Sequence, residues 1–145
     1  MNPRPFAWTA GAILLIFGIA GLIPPLAPPE IDALRIAARV GGAQLFGLFP
    51  VSPVLSVIHI VLGAWGLWAG SRLGRALSFA RWAALVFAIL LVMGTIPGAD
   101  TLFGAAPLYG NNLLLHGLLA VACFLFGWLY RRPTIMPEDE DAAPA

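Results

Sequence analysis

Lysine is absent from this 145-residue chain, cysteine occurs once, histidine twice, and only 10% of residues are charged. Soluble domains carry about 25% charged residues, so too few polar groups are present to cover a water-facing surface. The single Cys123 excludes an internal disulfide and any cysteine-rich metal site. A formal charge of +1 without a basic patch argues against nucleic acid as a partner. No nucleophile–base pair, glycine-rich phosphate loop or carboxylate dyad stands out, and two histidines without nearby carboxylates make a weak zinc site. The first and third apolar runs have almost no polar residue at their middles, which argues against an ordinary channel or transporter.

What is present is apolar: 60% of residues are hydrophobic, and mean hydropathy is +0.89. Uncharged runs of roughly 18 or more apolar residues can cross a bilayer as helices. They predict an all-α integral membrane four-helix bundle, with helices at about 6–23, 53–70, 79–96 and 111–130. Ser52 before Pro53 suits an N-cap and first turn, and Gly110 or Asn111 caps the fourth helix. The segment at about 30–40, with Arg35 and Arg39 on one face and Ile31, Leu34 and Ala38 on another, reads as a short interfacial helix. The spacing of Glu30, Asp32, Arg35 and Arg39 suits local ion pairs along it. The transmembrane domain spans 1–132, and 133–145, with Glu138–Asp141, reads as a solvated acidic cytoplasmic tail.

Arg4 ahead of an apolar run resembles the start of a signal peptide. The uncharged run from Pro5 to Pro29 is too long for that, and its proline-rich end offers no good cleavage site, so it reads as a retained helix. With four alternating helices, Arg4, Arg72, Arg75, Arg81, Arg131 and Arg132 share one side, and only Arg35 and Arg39 the other. Arginine excess marks the cytoplasmic side, which puts both termini in the cytoplasm. Trp8, Trp65, Trp68, Trp82 and Trp128 cluster toward the same side.

Both histidines belong to a repeated phrase. Leu45-Phe46-Gly47 with Pro50 precedes His59, and Leu102-Phe103-Gly104 with Pro107 precedes His116, nine residues after the proline each time. Residues 45–70 match 102–127 without gaps, with seven of 26 identical. The helices before them end alike, in Gly21-Leu22-Ile23-Pro24 and Gly94-Thr95-Ile96-Pro97. The reading is two parallel two-helix repeats with both histidines at one depth near the noncytoplasmic end. Helical steps from His59 give Gly63, Gly66 and Gly70, and from His116 give Ala120, Cys123 and Gly127. Small residues on one stripe let helix backbones approach closely. Each histidine therefore sits at the mouth of a packing stripe.

The phrase Leu45-Phe46-Gly47-Leu48-Phe49-Pro50-Val51, then His59, Gly63 and Gly66-Leu67, resembles a family of small bacterial four-helix membrane proteins catalogued as a domain of unknown function. The resemblance covers about residues 6–130 and implies a bacterial inner-membrane protein, without an activity. Members often carry Asn about one turn before the histidine; here Ser56 stands in the first copy, and Asn111 and Asn112 lie near that place in the second.

His59, His116, Ser56, Asn111 and Asn112 form the candidate polar site. The first expectation is structural, with neutral imidazoles hydrogen-bonded so as to pin the proline loops. The functional expectation is a small noncatalytic membrane protein, an accessory or scaffold associating with other membrane proteins or with itself. Alternatives are a b-type haem protein using His59 and His116 as axial ligands, and a small-ligand or lipid-binding module at the outer end of helices 2 and 4. Otherwise no cofactor, metal or catalytic residue is expected. Cys123 reads as a small packing residue, and Asp100 as a turn residue before a proton relay with His116.

Overall fold

The computed structural model describes residues 2–27 and 43–130. Four helices carry the fold: α1 (Pro3–Ala20), α2 (Pro53–Ala69), α3 (Leu73–Thr95) and α4 (Asn111–Trp128). A short antiparallel hairpin, β1 (Ala43–Leu45) and β2 (Phe49–Val51), precedes α2 and pairs Leu45 with Phe49 and Ala43 with Val51. The expected interfacial helix at 30–40 and the acidic tail at 133–145 lie outside the described residues.

Local chemistry explains the helix ends. The Asn2 side chain accepts from the Arg4 N–H, and Pro3 opens α1, so this helix starts three residues before the expected Phe6. Ser52 caps α2 through the Leu55 N–H, and Gly70 follows its last turn. The third helix begins at Leu73 rather than near Phe79. Arginine is a good helix former, so Arg75 lies outside the apolar run without ending the helix. Gly110, at φ +64°, turns the chain into α4.

α1 packs mainly on α2, and α3 mainly on α4, as two antiparallel hairpins. Within the first pair, the backbones nearly touch. A Cβ added to Gly63 would lie 2.5 Å from the Leu15 nitrogen, and one added to Gly11 2.6 Å from the Leu67 nitrogen. At the end of α3, a Cβ at Gly94 would meet the carbonyl of Leu108, in the loop leading to α4, at 2.5 Å. One core joins the pairs, with Leu14, Leu55, Phe79, Phe87, Leu108 and Cys123 buried in it. A smaller cluster of Ala20, Ala27, Leu45 and Val51 seats the β-hairpin.

The outward faces are apolar as well: Ile13, Ile16, Val61, Val92, Leu114, Leu118 and Val121 are exposed. Helices satisfy their own backbone polar groups, so an apolar outer face of this kind suits lipid. α1, α3 and α4 are each long and apolar enough to cross a membrane. α2 is apolar with 17 residues, about 25 Å at 1.5 Å per residue, the short end of what spans a bilayer. The described residues form an all-α fold with one small β-hairpin, and three of the helices could cross a membrane.

Candidate functional site

His59 is two turns into α2, and His116 a little more than one turn into α4. Each ring lies inside the bundle, 1% and 0% exposed, and the two face each other across the hairpins with ring centres 6.1 Å apart and planes 22° apart. Phe17 of α1 packs 5.5 Å from His59. Phe87 of α3 lies 6.4 Å from His59 and 5.9 Å from His116.

Hydrogen bonding divides the expected polar site in two. Asn112 donates both amide hydrogens to loop carbonyls, Pro50 at 2.7 Å and Pro107 at 2.8 Å. Asn111 donates to the Leu48 carbonyl at 2.9 Å, and Ser52 donates to the Ala105 carbonyl at 3.1 Å. These three side chains tie the two proline loops to each other and to α4. The histidines take no part in that. His59 Nδ1 donates to the Leu55 carbonyl one turn back on its own helix, at 2.9 Å. The expectation that the imidazoles pin the loops is thus corrected. A carbonyl four residues back is within reach of an imidazole on a helix, whereas the shorter Asn side chains at the helix start point straight at the loops.

Deeper in, polar atoms are left over. Among the described residues, no hydrogen-bond partner meets Ser56 Oγ, His59 Nε2, Asn112 Oδ1 or either ring nitrogen of His116, all of them buried. Since a carbonyl only accepts, His59 carries its proton on Nδ1 and presents Nε2 as an acceptor. Asn112 Oδ1 is an acceptor, a neutral His116 supplies one donor and one acceptor, and Ser56 supplies one donor. The cluster is therefore richer in lone pairs than in hydrogens.

A haem between these histidines does not fit the residues present. Axial imidazoles flank the macrocycle, which needs the plane midway between them. Phe87 is nearly equidistant from both rings, so its buried side chain occupies that plane. Among the described residues, no three of His, Cys, Asp and Glu group closely enough to hold a metal.

The small-residue stripes follow a different partner from the histidines. Gly63 and Gly66 lie against Gly11, Leu15 and Ala7 of α1, and Gly70 lies against the Trp8 ring. Gly127 lies against Ala80 and Arg81 of α3. Cys123 is buried in the core, with Ala120 partly buried beside it. The close seams are thus inside each hairpin, and the histidines bridge between hairpins.

Several contributors carry no clear sequence signal. Nothing separates Phe17 and Phe87 from other apolar residues by spacing. At the opposite end of the bundle, Arg4 Nε donates to the Gly70 carbonyl at 3.2 Å, and Arg81 Nε to the Gly127 carbonyl at 2.9 Å. Gly70 and Gly127 are matched positions of the repeated phrase, and that match was the available hint. Asp100 accepts from the Gly98 N–H in its own turn, at 3.0 Å.

The paired loops themselves differ. Leu45, Phe46 and Gly47 belong to a β-hairpin, whereas Leu102, Phe103 and Gly104 lie in successive turns. Both hold bulky residues in left-handed backbone: Phe46 at φ +54°, Leu102 at +47° and Phe103 at +55°. That region is rare for residues with large side chains.

This four-helix bundle, with a histidine pair buried between two hairpins, defines a class of small apolar helical protein. The chain belongs to the family described as "Domain of unknown function (DUF4383)", whose model matches residues 4–129. No curated protein and no solved structure matches it.

Proposed function

We propose that the protein is a small noncatalytic accessory or scaffold of the bacterial inner membrane, associating with another membrane protein or with itself. It crosses the bilayer four times as two parallel two-helix repeats, with both termini cytoplasmic.

The observation that carries this reading is the outer loop platform. Phe46, Leu48 and Phe103 are 61%, 57% and 83% exposed, on loops cross-linked by Asn111, Asn112 and Ser52. Left-handed backbone at Phe46 and Phe103 costs of order 1–3 kcal/mol each, and such strain concentrates where a surface does work. A rigid platform presenting large apolar side chains suits contact with a partner. The orientation is supported by Arg4, Arg72, Arg75 and Arg81, which lie toward the opposite end along with Trp8, Trp68 and Trp128.

The test is photocrosslinking in cells from position 103, with lipid-facing position 114 as control. Discrete adducts from 103 alone, identified as one membrane protein or as the dimer, support the reading. Absence of discrete adducts, together with a monomer in detergent by sedimentation, overturns it.

A further inference from the structure

We propose that the arginine–tryptophan end of the bundle holds anionic phospholipid, one headgroup at Arg4 beside Trp8 and one at Arg81 beside Trp128. The proposal rests on the membrane-spanning reading. It is independent of the loop platform, which lies at the opposite end.

Charge at this end has one sign. Arg4, Arg72, Arg75 and Arg81 lie there, and Asp100, the only acid among the described residues, belongs to the loop between α3 and α4 at the other end. Each antiparallel hairpin places one helix start and one helix end there, so the helix dipoles oppose one another and the arginines set the potential.

Two of these guanidiniums are presented in the same way. Arg4 Nε donates to the Gly70 carbonyl at 3.2 Å, and Arg81 Nε to the Gly127 carbonyl at 2.9 Å. Each guanidinium carbon lies 5.8 Å from a tryptophan ring centre, Trp8 in the first hairpin and Trp128 in the second. The Nε side of each group is thereby fixed, and among the described residues no acceptor meets its terminal nitrogens. A guanidinium held in place offers parallel N–H groups to two phosphate oxygens. Arg75, 4.1 Å over the Trp68 ring, adds charge nearby.

The surrounding surface identifies the anion. Trp8, Trp68, Trp82 and Trp128 are exposed at this end, and such indoles sit at the level of lipid headgroups. Phe124 stacks on Trp128 at 5.2 Å and continues along α4 as an exposed apolar ridge through Val121 and Leu118. From Trp128 to Leu118 is about 15 Å at 1.5 Å per residue, half of the roughly 30 Å hydrocarbon core. On α1, Ile13 and Ile16 are exposed beyond Trp8. A phospholipid therefore meets arginine with its phosphate and the ridge with its acyl chains. A soluble anion, or the acidic segment at 138–141, meets the arginines alone. The headgroup is anionic rather than zwitterionic because a choline or ethanolamine ammonium would face arginines with no described acid beside them.

The experiment is native mass spectrometry of the full-length protein in detergent, with equal amounts of phosphatidylglycerol and phosphatidylcholine bearing the same acyl chains. The wild type is expected to retain two phosphatidylglycerol molecules, preferred about tenfold or more. Arg4→Gln and Arg81→Gln each remove one of them, the double variant removes the preference, and Arg72→Gln keeps both. Equal retention of the two lipids by the wild type overturns the sites without recourse to any variant. So does a preference that survives in the double variant, or displacement of the lipid by millimolar glycerol 3-phosphate. A preference that appears only when Glu138, Asp139, Glu140 and Asp141 are all changed to their amides assigns the arginines to the acidic segment instead. Carbonate extraction of the source membranes separates the two readings. Protein released by carbonate overturns the membrane reading, whereas carbonate-resistant protein with no lipid preference overturns the lipid sites alone.

Discussion

Asn112 reaches across 62 positions of sequence to hold the Pro50 carbonyl at 2.7 Å, while its other amide hydrogen holds Pro107 at 2.8 Å. One side chain thus joins the proline of one loop to the matched proline of the other. The bonds lie at the loop end of the bundle, one turn of α4 before His116, so they tie the two hairpins together there.

Asn112→Ala leaves two carbonyls without this donor. Buried groups left unpaired cost about 1–3 kcal/mol, so thermal unfolding in detergent should show a loss of at least that size. Asn112→Asp, which keeps the shape and loses the donors, should fall equally low. A wild-type melting temperature in both variants would mean that the loop tie carries no stability.

Gly63 and Gly66 should tolerate no enlargement, because their added Cβ atoms would meet α1 backbone at 2.5 and 2.8 Å. Overpacking of this kind costs about 1–3 kcal/mol. At Gly117, an added Cβ lies 3.7 Å from Leu91 Cδ2, an ordinary contact. Gly117→Ala should therefore be neutral or stabilising by up to about 1 kcal/mol, since alanine is the better helix former. Denaturation of Gly63→Ala, Gly66→Ala and Gly117→Ala side by side checks the ranking; equal stabilities would contradict the close α1–α2 seam.

Arg81 closes the C-terminal end of α4 through Nε, at 2.9 Å from the Gly127 carbonyl. A cation at a helix C-terminus stabilises it by about 0.3–1 kcal/mol. Arg81→Gln should lose about that much. Arg81→Lys should recover the charge and not the fixed geometry, because lysine has no equivalent of the planar guanidinium. Full recovery in the lysine variant, by thermal unfolding, would assign the effect to charge alone.

Phe103 separates folding from association. Its side chain is 83% exposed and its φ is +55°. Phe103→Gly relieves the backbone, so stability should hold or rise by up to about 1 kcal/mol. Crosslinking from the neighbouring position 102 should meanwhile weaken several-fold. Undiminished crosslinking would remove Phe103 from the contact surface.

Local sequence alone accounts for the four helices and for the likeness of the two histidine phrases. Long uncharged runs have one stable form in lipid, the helix, and Ser52, Pro53 and Gly110 mark its ends through local chemistry alone. Hydropathy places the start of α3 near Phe79 because it records where apolar surface ends, whereas the helix runs on through Arg75 to Leu73. Which faces meet was decided only by the tertiary structure. The stripe under His59 is small enough to suit any close neighbour, and packing assigns it to α1. The choice of Asn112, rather than histidine, to hold the loops depends on side-chain reach at the start of α4. The 6.1 Å approach of His59 to His116, and the placement of Phe87 beside both, arise from how two hairpins dock, a long-range relation that no local pattern encodes.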